Sequence, residues 1–183
     1  MDWDYLLSKG MKKIEVIVIS LVNFIAISCA HAEGMCREGE TIIFDCELQK
    51  SISSLCESKD AGVLSYRNGV TNKINLEISD GDAGKVKVFY FSSTPYTGGG
   101  EAHIRFSKAG YTYYLYDKTI KTDDGPTFSG GIVVYKGARK ISNLVCGNDA
   151  SIHQNAYRDI AKERYRSIGS KQSSLLIDQG GCK

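Results

Sequence analysis

Across residues 41–146 the chain alternates apolar and polar positions in short runs broken by turn residues, which restricts its fold more than any other feature. Ile74, Leu76 and Ile78 alternate with Asn75, Glu77 and Ser79, the period-two mark of a strand with one buried face. Val86, Val88 and Tyr90 alternate with Lys85, Lys87, Phe89 and Phe91, which predicts a strand whose second half is buried on both faces. Residues 41–48, 52–57, 63–67, 102–107, 111–118, 132–135 and 141–146 complete a set of nine short strands. No helical pattern separates them, so an antiparallel sandwich or barrel is expected rather than a parallel, helix-linked sheet. Asp80-Gly81-Asp82-Ala83-Gly84 reads as a hairpin turn. Its spacing resembles a calcium loop, but Phe91 stands at the twelfth position, where a bidentate Glu is needed.

After Gly147 the period changes. Ser151 and Gln154 fit a capping box, in which hydroxyl and amide satisfy orphan backbone N–H groups. Ile152, Ala156, Ile160 and Ile168 then share a side with Tyr157, Ala161 and Tyr165, and Gly169 is placed to stop a helix. The spacing predicts a helix over 152–168, whose Arg158, Lys162, Arg164 and Arg166 read as a solvated basic face. The expected fold is therefore mainly β, with about eight or nine short strands and one C-terminal α-helix. The β-domain spans 33–148, the helical segment 149–169 packs on it, and 170–183 form a flexible tail.

Residues 11–32 have the layout of a secretory signal. Met11, Lys12 and Lys13 give a basic start, residues 16–27 an apolar stretch, and Ala30-His31-Ala32 the small residues that signal peptidase requires. The stretch is short for a membrane span. Residues 1–10 do not belong to such a signal, and translation is expected to begin at Met11. Cleavage after Ala32 places the mature chain in the periplasm. A lipoprotein anchored through Cys29 is the alternative, with Ala26 where a larger aliphatic residue is usual. The net charge of +2 is too small to suggest nucleic acid as a partner.

Export exposes the remaining cysteines to an oxidising compartment, where disulfides persist. Cys36, Cys46, Cys56, Cys146 and Cys182 allow two bridges and one free thiol, and spacing does not choose among the pairings. Cys46 and Cys56 flank a turn near Lys50, which suggests a cross-strand bridge, leaving Cys36 with Cys146 and Cys182 unpaired. A zinc site lacks any C-x-x-C pair, and no metal or other cofactor is expected.

No motif of high specificity marks catalysis: the chain has no G-x-S-x-G, H-E-x-x-H, P-loop or dinucleotide fingerprint. Thr94-Pro95-Tyr96-Thr97-Gly98-Gly99-Gly100 reads as a long hairpin loop that lets a partner approach its backbone. Glu101, His103 and Arg105 follow at i, i+2 and i+4 and share a strand face, as acid–base chemistry or anion binding would need. Tyr111 and Tyr113 fall on one face of their strand, Tyr114 and Tyr116 on the other. Tyrosine suits protein or glycan recognition, and it also fills strands. Tyr96, Gly98, Gly99, Gly100, Glu101, His103, Arg105, Tyr111 and Tyr113 are thus the candidate surface for a protein partner.

The runs IIFDCEL, ISSLCES, GVLSYRNG, YTGGGEAHIRF, YTYYLYDK and GIVV resemble those of a group of small exported proteins of Gram-negative bacteria. In size and type the chain is also similar to the periplasmic inhibitors of C-type lysozyme, small disulfide-bearing β-barrels whose Ser-Gly-x-x-Tyr motif enters the lysozyme cleft. Here Ser129-Gly130-Gly131 is followed by Tyr135, two places later than that motif requires. Export, disulfides, a tyrosine- and glycine-rich loop face and the lack of a complete catalytic set lead to the expectation of a periplasmic binding protein that inhibits an envelope hydrolase as a lysozyme inhibitor does, or of an immunity protein that neutralises a toxin. The alternatives are a small enzyme using Glu101 and His103, and a structural component of the envelope.

Overall fold

The computed structural model describes residues 34–81 and 86–168. Strands β1 (Glu40–Leu48), β2 (Ser51–Ser58), β3 (Leu64–Val70) and β4 (Lys73–Ser79) form an antiparallel meander in chain order. Strands β5 (Tyr90–Tyr96), β6 (Gly99–Lys108), β7 (Tyr111–Thr122), β8 (Gly125–Lys136) and β9 (Arg139–Val145) form a second meander, and β10 (Ala161–Lys162) adds in parallel beside β5. Among the described residues the two sheets make a mainly β, sandwich-like fold with one short helix, as the alternation predicts.

Every second residue faces the partner sheet. Phe44, Cys46, Leu55, Tyr66 and Ile78 from the smaller sheet share one buried cluster with Phe91, Ile104, Phe106, Leu115 and Ile132 from the larger. The Tyr66 and Phe106 rings meet at 4.6 Å across the interface. Each such fully buried large apolar side chain contributes about 1.5–3 kcal/mol relative to exposure.

Several expectations need correction. The segment at 80–84 is not the turn of a hairpin, because β4 pairs with β3 and β5 pairs with β6. Asp80 instead exchanges hydrogen bonds with Leu64, and the chain then crosses to the other sheet. Asp82 to Lys85 lie outside the described residues. The predicted strand at 86–91 starts only at Tyr90 and runs on through Thr94 and Pro95, which the sequence suggested as loop.

The helix predicted over 152–168 shortens to α1 (Ala156–Asp159). Ile152, Ala156 and Ile160 are buried as the 3.6-residue period demands. Asn155, not Ser151, stands at the cap, and no side chain caps it. Beyond Ile160 the free edge of β5 wins: Ala161 and Lys162 pair with Tyr90 and Phe91, and Glu163 N–H donates to Phe91 O. Satisfying those backbone groups outweighs continuing the helix.

The four predicted disulfide cysteines are all bridged, but with exchanged partners. The bonds are Cys36–Cys56 and Cys46–Cys146. Register explains why. Cys46 lies opposite Ser53 and Cys56 opposite Ile42, and alternation turns Cys46 into the sandwich and Cys56 to the outer face. Residues on opposite faces of a hairpin cannot bond. Cys29, Cys182, the signal and the tail lie outside the described residues.

Candidate functional site

Alternation on β6 points Ala102, Ile104 and Phe106 into the sandwich and Glu101, His103 and Arg105 outward, as the sequence predicts. Opposite them on β7 stand Lys118, Tyr116 and Tyr114. His103 Nε2 lies 2.6 Å from Glu101 Oε1, so the carboxylate and imidazole form a close pair. That hydrogen bond holds the Glu101 carboxyl below its ordinary range against the opposing effect of burial.

This face is not open. After β10 the chain runs over it as a strap. Arg105 Nη2 donates to Glu163 Oε2 at 2.6 Å and Nε adds two further contacts, while the guanidinium lies 4.8 Å from the Tyr90 ring centre. The Tyr165 ring stacks on His103 at 5.0 Å and its hydroxyl donates to Glu101 Oε2 at 3.2 Å. Burial, with Glu101 alongside, pushes the Tyr165 hydroxyl up to about 12. Ile168 packs against Tyr114, Val133 and Tyr135. His103 is left 1% exposed, and its Nδ1, like the Tyr135 hydroxyl, is buried without a hydrogen-bond partner among the described residues. Such a group costs about 1–3 kcal/mol.

The glycine segment is a tight hairpin rather than a long loop, with Tyr96 opposite Gly99 and only Thr97 and Gly98 in the turn. The Tyr96 hydroxyl lies 3.1 Å from Gly100 O and 3.0 Å from Thr119 O, pinning the turn to β7. The three glycines differ. Gly98 has φ +85°, and a Cβ there would lie 2.6 Å from Lys121 Cβ. A Cβ at Gly99 would overlap the Thr119 carbonyl oxygen, whereas one at Gly100 would meet Thr94 O at 3.4 Å and Pro95 Cα at 3.8 Å, ordinary contact distances. Gly99→Ala is therefore expected to lower stability by about 2 kcal/mol and Gly100→Ala by under about 0.5 kcal/mol, read by urea unfolding. Equal losses would show that Gly99 is not confined by β7.

The tyrosines mostly fill the fold. Tyr113 stacks on Phe106 at 5.0 Å, and Tyr111 holds the Lys136 ammonium 5.4 Å from its ring centre. The basic cluster is also engaged in part: Arg158 pairs with Asp159, and Lys162 donates to Ala156 O while its ammonium lies 4.2 Å from the Phe91 ring centre. In the Ser129-Gly130-Gly131 stretch, Gly130 packs against Ala150 and Gly131 against Leu144 and Tyr116, and Tyr135 is buried on the outer face.

Register reveals a surface that sequence reasoning missed. Strand β6 pairs with β7 no further than Thr119, and β9 pairs with β8 only from Gly131. The β7–β8 ribbon continues past both, pairing Ile120 with Thr127, Lys121 with Pro126 and Thr122 with Gly125. It carries exposed Ile120 (40%) and Phe128 (69%), with Val145 (62%) nearby, and Asp123 and Asp124 in its turn. The signal for it was Asp124-Gly125, a hairpin dipeptide; Gly125 has φ +115°.

Two clefts of about 440 and 450 Å³ open at this end of the molecule and share Asp117. Burial raises the Asp117 carboxyl, opposed by a hydrogen bond from Ile152 N–H at 3.1 Å. Among the described residues no helix is long and apolar enough to cross a membrane. No protein-family model, curated protein or solved structure matches the chain, so its function has to be read from this geometry.

Proposed function

We propose that the chain is an exported, periplasmic protein-binding domain that neutralises a hydrolase attacking the cell envelope, as a lysozyme inhibitor or an immunity protein does. The observation that carries this reading is the projecting β7–β8 ribbon, which offers Phe128 on one face and Ile120 on the other from a hydrogen-bonded, pre-ordered backbone. Tyr96 and the Gly98 turn lie beside it, so part of the surface expected from sequence belongs to the same end. Two disulfides suit an oxidising compartment. An enzyme built on Glu101 and His103 is less well supported, because residues 163–168 would have to leave the outer face before substrate reached the imidazole.

The test is to mix residues 33–183 with lysozymes and candidate envelope toxins and to follow binding and hydrolysis. At least one is expected to be bound and slowed, and Phe128→Ala is expected to weaken that complex about 30-fold, the effect of losing a central aromatic anchor. If none is bound, the reading falls; an unchanged affinity for the Phe128→Ala variant removes the ribbon from it.

A further inference from the structure

The cleft of about 440 Å³ is walled by Ser93 and Thr94 of β5, Gly100 of β6, Asp117 and Thr119 of β7, and Tyr157 of α1. Its size is that of a ligand pocket, and its chemistry points one way. Among the described residues, no lysine, arginine or histidine lines it. Of its two acidic residues, Glu101 has its carboxylate committed to the outer face, where His103, Tyr165 and Lys118 surround it. That leaves Asp117, half-buried, with one backbone N–H as its hydrogen-bond donor. Tyr157 supplies an aromatic ring that is 48% exposed. Lys162 lies 5.9 Å from the centre of that ring but belongs to Phe91 and does not line the cleft.

Gly100 adds an independent observation. Gly98 is required by its backbone conformation and Gly99 by the closeness of β7, but neither reason applies at Gly100. What its missing side chain does is leave room in the cleft, beside the backbone of Thr94 and Pro95.

The geometry points to this cleft as a receptor for a single cationic group, a guanidinium or ammonium, bound by the Asp117 carboxylate, the hydroxyls of Ser93 and Thr119, the backbone carbonyl of Thr94 and the Tyr157 ring. A carboxylate and neutral acceptors beside an aromatic face are the complement of such a group. This deepens the proposed function and rests on it for the natural ligand: an arginine or lysine side chain of the protein partner, inserted beside the ribbon.

The experiment needs no partner. The ¹⁵N-labelled protein (residues 33–183) is titrated by NMR with argininamide, with its uncharged isostere citrullinamide, and with chitotriose. Argininamide is expected to shift the amides of Thr94, Gly100 and Thr119 saturably, and citrullinamide to bind at least about tenfold more weakly. Asp117→Asn, which keeps an acceptor for Ile152 N–H, should cost at least about tenfold. Gly100→Leu should abolish the shifts by filling the cleft while leaving the rest of the spectrum in place. Equal binding of citrullinamide, shifts from chitotriose alone, or unchanged affinity in the Asp117→Asn variant would overturn the assignment. Argininamide binding without inhibition of any hydrolase would sink the proposed function and keep the cation site. Inhibition that Asp117→Asn and Gly100→Leu leave intact would do the reverse.

Discussion

Serine at both Cys46 and Cys146 is expected to lower stability by about 4 kcal/mol, the largest loss foreseen for any side-chain pair in this molecule. The bond spans 100 residues, and in the chain-entropy account closing a loop of that length removes about 4.7 kcal/mol worth of freedom from the unfolded chain. It also ties β1 in the smaller sheet to the residue that follows β9 in the larger, so its loss loosens the sandwich where Gly147 N–H donates to Glu47 O. The corresponding change at Cys36 and Cys56 opens a loop of 20 residues and should cost about 3 kcal/mol. For a domain of this size the larger loss lowers Tm by roughly 10 °C or more. Thermal unfolding followed by circular dichroism would measure both, and peptide mapping would show the pairing. A loss below about 1 kcal/mol for the 46–146 pair would mean that the two sheets hold together without it.

Arg67→Ala is expected to cost about 3–5 kcal/mol, the penalty for removing one partner from a buried ion pair. Arg67 is 1% exposed on the outer face of the smaller sheet. Its guanidinium meets Glu40 with bonds of 2.6 and 2.8 Å and Glu77 at 2.8 Å, and it also reaches Met35 O. Strands β1, β3 and β4 are thereby linked to one another and to the N-terminal segment. Burial would raise the Glu40 carboxyl, but the hydrogen bonds and charge of Arg67, with help from Arg37, hold it below its ordinary value of 4.5. Because the folded value is the lower one, the stabilisation is fully present above about pH 4.5 and disappears as pH falls through the folded value. The variant should accordingly lose less stability than the parent between neutral pH and strongly acidic pH. Urea midpoints at several pH values give both numbers. A loss under about 1 kcal/mol with an unaltered pH profile would show that the pair contributes nothing net.

What the sequence revealed depended on whether a signal was local. Alternation in residues 73–79 and 111–118 marks strands because each residue's face is set by its own neighbours. The shared face of Glu101, His103 and Arg105 was legible for the same reason. What lies above that face was not, since Glu163 and Tyr165 come from about 60 residues away. Helical spacing at Ile152, Ala156 and Ile160 correctly marked buried positions, yet the backbone beyond Ile160 was decided by the unpaired edge of β5. Asp80-Gly81 carries ordinary turn chemistry, and nothing in it distinguishes a hairpin from a crossing between sheets. The cysteine pairing turned on which face of β1 and β2 each sulfur occupies, set by a register that irregular pairing between Ile42 and Phe44 obscures. The cleft at Asp117 draws on four separate elements, so no local motif announces it.

The two-residue strand beside β5 bears on when this protein is safe from its own copies. Without Ala161 and Lys162, β5 would present free backbone donors and acceptors next to buried Phe91, the template on which strands of different molecules join. Pro95 blunts the far part of that strand, having no N–H to offer. The near part waits for residues about 70 positions later in the chain. A polypeptide that emerges N-terminus first completes both meanders before the piece that seals this border arrives. Its period of greatest exposure to aggregation is therefore the interval between the emergence of β9 and that of Lys162, and a chain cut short within it would fold without that protection.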